Sequence, residues 1–147
     1  MMFPDFHTVQ IMAIVNVTDN SFYSASRTMT IEAIESRIAQ VVAEGATIID
    51  IGGCSSRPGA EVVPLETEWE RVDIGVGVAR RVAPHIAVSV DTFRAEIVRR
   101  VVAKYGAVIV MTLLRERVIV RCLTLWQRLA CHILQCICVV HHRICRV

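Results

Sequence analysis

Past Gly106 this 147-residue chain contains no glycine, proline, asparagine or aspartate. Those residue types make most turns, and structureless connections beyond about 12–15 residues are uncommon in compact domains. Positions 107–147 are therefore not expected to turn as an ordinary globular segment does. Aromatic residues are scarce, at 5%, and Trp126 is the one aromatic among the arginines of this tail. That leaves no stacking platform, so nucleic acid is not an expected partner. No uninterrupted apolar run reaches about 18 residues, so no membrane-spanning helix is expected. Leu129 to Val140 comes nearest, and it contains His132 and Gln135. The amino terminus lacks the basic region and long apolar run of a signal peptide. A cytoplasmic chain with reduced thiols is expected, rather than a disulfide framework.

What is present is unevenly distributed. The formal net charge of +2 points to no class of partner by itself. Yet the tail holds six of the 16 Lys and Arg residues and, in Glu116, one of the 14 acids. It is also strongly apolar, so a solvated basic arm describes it poorly. Five of the six cysteines lie there: Cys122, Cys131, Cys136, Cys138 and Cys145. With His132, His141 and His142 they are soft enough for zinc, but no CxxC pair and no turn presents them, so no zinc site is assigned.

Residues up to about 110 read as alternating strands and helices. Gln10 to Val15 is a first strand ending at Asn16, and the polar segment Thr18 to Met29 is a long loop. A helix from about Thr30 carries Ile31, Ile34, Ile38, Val41 and Val42 on one side and stops at Gly45. The apolar run before Gly52 is a buried parallel strand, with its loop over 54–64. A second helix spans Leu65 to Val82, with Glu66, Glu68 and Glu70 near its positive end. Gly75 and Gly77 weaken it, and no pattern accounts for them. Pro84 precedes a third strand, Ile86 to Val90. Asp91-Thr92 can cap a third helix, Phe93 to Tyr105, and Ala107 to Val110 is a fourth strand. Short connections imply right-handed parallel crossovers, an α/β fold.

The chemistry concentrates in Ala46 to Ala60, ATIIDIGGCSSRPGA. A carboxylate at Asp50 is followed by Gly52-Gly53, which lets backbone pass close to a ligand at a strand's carboxyl end. Ser55, Ser56 and Arg57 supply hydroxyl donors and a fork-shaped cation suited to phosphate or diphosphate. Arg57 is otherwise a surface ion-pair residue. Asp50 is either a ligand contact or a structural hydrogen-bond anchor, since a buried carboxylate needs a defined partner. Asn16 can hold a metal ion or diphosphate oxygen through its amide, or make an Asx turn. Asp91 can accept paired N–H bonds, or serve as a plain helix cap. Cys54 reads as a packed thiol.

The IDIGGCSSRPGA string is very similar to the IDIGG-x-S-T-R-P-G-A signature of dihydropteroate synthases. Ile11 to Phe22, IMAIVNVTDNSF, resembles that family's first-strand N-V-T-P-D-S-F motif, with Asp19-Asn20 replacing Pro-Asp. Val88 to Ala95, VSVDTFRA, resembles its S-I-D-T motif. Ser56 stands for the usual Thr and Cys54 for a frequent Glu. The resemblance implies a (β/α)8 barrel, which takes about 250 residues. This chain would then be its amino-terminal part, about three and a half βα units, residues 1–110 forming a partial barrel and 111–147 an apolar, basic appendix. The implied reaction joins (7,8-dihydropterin-6-yl)methyl diphosphate to p-aminobenzoate in folate synthesis, the step that sulfonamides target. Asp91 would hold the pterin, Asn16 would hold Mg2+ and diphosphate, and Mg2+ with Arg57 would stabilise the leaving group. Intact family members are expected to be homodimers. The family's fourth-strand N-D motif and its D-P-G-x-G-F, S-R-K and R-x-H-D regions are absent, so this chain by itself is not expected to turn over substrate. Two other readings stand beside this one. A pterin-binding methyltransferase acting between a folate and a corrinoid has no diphosphate for the S-S-R-P loop. A non-catalytic fragment would associate or misfold through open strand edges.

The tail has a genetic explanation as well as a physical description. Gln135 to Arg146, QCICVVHHRICR, can be encoded by codons that regroup, one base earlier, to MHMRGTPQNMQ. That string resembles the family's H-M-x-G-x-P-x-x-M-Q motif. Met111-Thr112-Leu113 can likewise regroup to N-D-I, the missing fourth-strand motif. A frame shift near the Val110 codon is therefore expected. Sequencing the gene checks it: the bases should regroup to N-D-I, then MHMRGTP, then a D-P-G-x-G-F stretch, and bases that do not regroup reject the idea.

Overall fold

The computed structural model describes residues 8–18, 31–55, 62–106 and 108–111, and the backbone of 132–134. The elements follow in the order β1 (Met12–Asn16), α1 (Ile31–Ala43), β2 (Ile48–Gly52), α2 (Leu65–Val82), β3 (Ala87–Asp91), α3 (Ala95–Tyr105), β4 (Ile109–Met111) and β5 (His132–Leu134). The bounds of α2 are those its sequence pattern suggested. Of the two loops read from the sequence, 18–29 lies outside the described residues except for Thr18, and 54–64 lies outside them over 56–61.

The strands are all parallel and stand side by side in chain order, β1-β2-β3-β4-β5. Alternation along each strand separates two faces. Val15, Ile49, Ile51, Val88, Val90 and Val110 join the main core with Ile34 and Ile38 of α1, Val72 and Val76 of α2, and Ile97, Val98 and Val101 of α3. All three helices among the described residues thus pack on one face. A doubly wound sheet reverses its strand order and carries helices on both faces, whereas sequential order with helices on one side belongs to a barrel wall. The other face carries a small separate cluster of Ile48, Ala87 and Ile109, with Met12 against it.

Local chemistry explains the helix ends. After α1, Gly45 takes φ 100°, its N–H bonds to Val42 O, and Ala46 N–H bonds to Val41 O. This 6→1 and 5→2 pair satisfies carbonyls that the helix end leaves open. The expectation that Asp91-Thr92 caps a helix from Phe93 is corrected: Asp91 ends β3, and α3 starts at Ala95 with Arg94 at the cap position and no side-chain cap bond. Ile31, expected on the apolar side of α1, is 47% exposed. The strand β5 was not expected in the tail, and its backbone pairs Ile109 with His132 and Met111 with Leu134.

Packing also accounts for the two glycines inside α2. A Cβ at Gly75 would stand 2.7 Å from Ile51 Cγ2 and 3.0 Å from Val17 Cγ2, so the helix lies against the sheet only without a side chain there. At Gly77 a Cβ would stand 3.2 Å from the Tyr105 hydroxyl, which donates to Asp73. Around this contact α2 and α3 are laced by Arg100 bonded to both carboxylate oxygens of Glu66 (2.8 and 2.9 Å) and by Lys104 on Asp73 (2.7 Å). Gly75→Ala should destabilise the fold by about 1–3 kcal/mol through overpacking, more than the roughly 1 kcal/mol of helix propensity it gains. Gly77→Ala, facing only a side-chain tip, should come out near neutral. Urea unfolding midpoints of the two variants check the contrast.

Candidate functional site

The parallel registers place the last residues of four strands in one row: Asn16, Gly52, Asp91 and Met111. Carboxyl ends of strands are where parallel α/β sheets and barrels collect ligand-binding groups. This row lies on the face away from the helices, because it is in step with Met12, Ile48 and Ala87. Three layers result. Met12, Ile48 and Ala87 form an apolar floor. Ile14, Asp50, Ser89 and Ile109 lie above it, and the row of strand ends forms the mouth.

Gly52 gives the mouth its space. A Cβ built there would stand 2.9 Å from Asn16 Oδ1 and 3.9 Å from Asp91 Oδ2. The two polar side chains suggested by the sequence therefore flank a bare backbone. Asn16 belongs to β1 rather than to an Asx turn, and its side chain is exposed.

The acids here are held away from their ordinary behaviour. Asp50 is buried, 4% exposed, and burial raises its pKa above the usual carboxylate range. The Ser89 hydroxyl, level with it on the next strand, draws that pKa part of the way back, although the two groups fall short of full hydrogen-bond geometry. Among the described residues, Asp50 Oδ1 and Ser89 Oγ are buried without a hydrogen-bond partner. Asp91 is pushed up to about 6, first by burial and then by the charges of Asp50 and Glu68. Two acceptors and a hydroxyl thus face inward with spare capacity. A planar ligand bearing several N–H donors would complete them, since buried polar groups are costly when unpaired.

The second loop begins within view. Cys54 is half-buried with Sγ 3.9 Å from Ser55 O, and Ser55 is exposed. Ser56 and Arg57 lie outside the described residues. For a metal, Asn16 offers one exposed neutral oxygen, and among the described residues no group of three or more His, Cys, Asp or Glu could hold an ion. Such a donor fits a hard cation that brings most of its ligands with it, as Mg2+ does on a phosphate.

Sequence reasoning missed a second polar group behind the mouth. Glu68 was read as one of three carboxylates near the start of α2. It is fully buried, bonded to Thr92 Oγ1 at 2.5 Å and to Arg94 at 2.5 Å. A signal existed: Glu68 stands four residues before Val72, on the stripe that continues through Gly75, Val76 and Ala79. Arg71 of the same helix donates to Gly53 O at 3.3 Å, steadying the chain as it leaves β2.

The raised pKa of Asp91 has a consequence for stability. An acid raised in the folded state contributes stability that is complete below its unfolded value, 3.8, and lost as the pH rises through about 6. Asp91→Asn removes the cost of ionisation. The variant should be more stable than the parent at pH 8, by about 1 kcal/mol after allowing for partial exposure. The difference should vanish below about pH 4. Thermal unfolding across this range is the check.

Comparison with known proteins places this geometry. The sequence pattern described as "Pterin binding enzyme" matches residues 12–121, beyond the three motifs. The chain is 40% identical over 100 residues to the folic acid synthesis protein fol1 of Pneumocystis carinii, covering 68% of this chain and 13% of that protein. It is 40% identical over 88 residues to a dihydropteroate synthase of Staphylococcus haemolyticus, covering 60% of this chain and 32% of that one. The solved Xanthomonas albilineans dihydropteroate synthase with 4-aminobenzoic acid superposes with a TM-score of 0.70 at 35% identity, over 84% of this chain and 44% of that one. The chain thus spans less than a third of these curated relatives and under half of that solved structure.

Proposed function

The chain belongs to the pterin binding enzyme family, and from that premise we propose that it carries the pterin-holding part of a dihydropteroate synthase site. The observation that carries the reading is the row Asn16–Gly52–Asp91 with the unpaired Asp50 and Ser89 atoms one layer beneath it. The aminopyrimidine edge of a pterin presents adjacent N–H donors in one plane. Asp91 at the mouth accepts them as a carboxylate, and Asp50 supplies an acceptor deeper in the slot. Donated N–H bonds favour the ionised form, so binding should pull the pKa of Asp91 back down from about 6.

In the whole reaction the p-aminobenzoate nitrogen forms a bond to the pterin methylene carbon. The carbon–oxygen bond to diphosphate breaks, diphosphate leaves with the electron pair, and the amine gives up a proton. Positive character develops on the pterin as diphosphate departs. The carboxylates of Asp50 and Asp91 favour that charge across the ring, and the apolar floor of Met12, Ile48 and Ala87 keeps their field from being screened by water. Ser55, Ser56 and Arg57 would receive the diphosphate as hydroxyl donors and a bidentate cation. Asn16 is the residue that would hold Mg2+, and the chemistry the ion would supply is neutralisation of charge on the leaving group.

Other assignments rest on the family. Homodimers of the intact protein and a cytoplasmic location are part of this reading. Among the described residues no helix is long and apolar enough to cross a membrane.

Calorimetric titration with (7,8-dihydropterin-6-yl)methyl diphosphate tests the site. Asp91→Ala and Arg57→Ala should each weaken binding by about 1–3 kcal/mol, the range for a charge-assisted contact. Unchanged affinity in both variants rejects the assignment.

A further inference from the structure

Glu68 is out of place as a stabilising residue. Its carboxylate is wholly inaccessible, in a helix whose other inward positions are Val72, Gly75, Val76, Val78 and Ala79. A buried ion pair seldom adds more stability than an apolar replacement, and its best-attested return is a unique geometry. The contacts of Glu68 say which geometry that is.

Two separate pieces of backbone are tied by this one carboxylate, and a third packs against its stem. The first is the turn directly after Asp91: Thr92 Oγ1 donates to Glu68 Oε1 at 2.5 Å and accepts Arg94 N–H at 3.1 Å. The second is the chain returning into α2. Arg94 spans from Glu68 Oε2 (2.5 Å) to the Val63 carbonyl (2.6 Å). The third is the chain leaving β2, where Gly53 lies so close that a Cβ would stand 3.2 Å from Glu68 Cγ and 2.9 Å from Glu68 O. Thr92 N–H also donates to Met111 O, which carries the link to β4.

We propose that Glu68 is a positioning residue that clamps the described end of the β2–α2 connection that enters α2, Val62–Val63, to the turn following Asp91, so that a ligand held by Asp91 also orders that end. The ligand half of this statement rests on the pterin reading above. The clamp itself does not. Glu68 touches no substrate; it acts through Thr92 and Arg94. The chemistry predicts a specific dependence: Glu68→Gln keeps an acceptor for Thr92 but removes the charge that holds Arg94, while Thr92→Val keeps the Arg94 pair and breaks only the tie to the Asp91 turn.

Amide hydrogen exchange on the full chain separates the parts. Without ligand, Glu68→Gln should accelerate exchange at least tenfold at 62–63 and 92–94, with α1 (31–43) unchanged. Thr92→Val, the milder replacement, should accelerate 92–94 and leave 62–63 as in the parent. Unaltered exchange in these segments, or acceleration spread equally over α1, overturns the clamp. With (7,8-dihydropterin-6-yl)methyl diphosphate added, the parent should gain protection at both 91–94 and 62–63, and Glu68→Gln at 91–94 alone. Equal protection of both segments in the variant overturns the coupling. A parent chain protected nowhere by this probe refutes the pterin reading, and the ligand-free comparison still decides the clamp.

Discussion

The structure depends on one constraint, the in-step parallel register of β1, β2 and β3. Asn16, Gly52 and Asp91 end their strands at the same level. A slip of one residue in any strand would turn its apolar set from the helices to the opposite face. Val15, Ile49, Ile51, Val88 and Val90 hold the register from the helix side, where α1, α2 and α3 cover them. The polar row at the mouth is therefore positioned by apolar packing on the other side of the same sheet. Stability and site placement share one cause, and the functional residues need not hold themselves in place.

That division lets the mouth carry groups that do not favour folding. Asp50 is buried with an oxygen unpaired among the described residues, and the pKa of Asp91 is raised first by burial and then by the charges of Asp50 and Glu68. Glu68 differs, because Arg94 and Thr92 answer its charge. Three carboxylates thus have two fates. One is neutralised and serves the architecture, and two keep unused acceptor capacity toward the slot. Among the described residues this cluster of like charges has one internal counter-ion, an arrangement that suits the donor-rich ligand proposed above.

Much of this was legible beforehand in particular residues. The apolar run ending at Gly52 and the α2 pattern over Leu65–Val82 both appear as elements where their spacing put them. The VSVDT string marked Asp91 as a strand-end carboxylate. The cap reading of that residue failed because Thr92 to Arg94 separate Asp91 from the helix, and the side chains of Thr92 and Arg94 both bond to Glu68. Gly75 and Gly77 were opaque because their reason lies in Ile51, Val17 and Tyr105, tens of residues away along the chain.

The sequence by itself determined the alternation of strands and helices, the parallel α/β class and the identity of the strand-end polar residues. Each of these is written in local periodicity, turn chemistry or a short motif. Tertiary structure alone decided that α1, α2 and α3 lie on one face, that Asn16 and Asp91 flank a bare Gly52, and that Glu68 faces inward to bond Thr92 and Arg94. Those facts are distances between segments far apart in sequence. Burial and the charge of a neighbour, which set how Asp50 and Asp91 titrate, exist only once the strands are side by side.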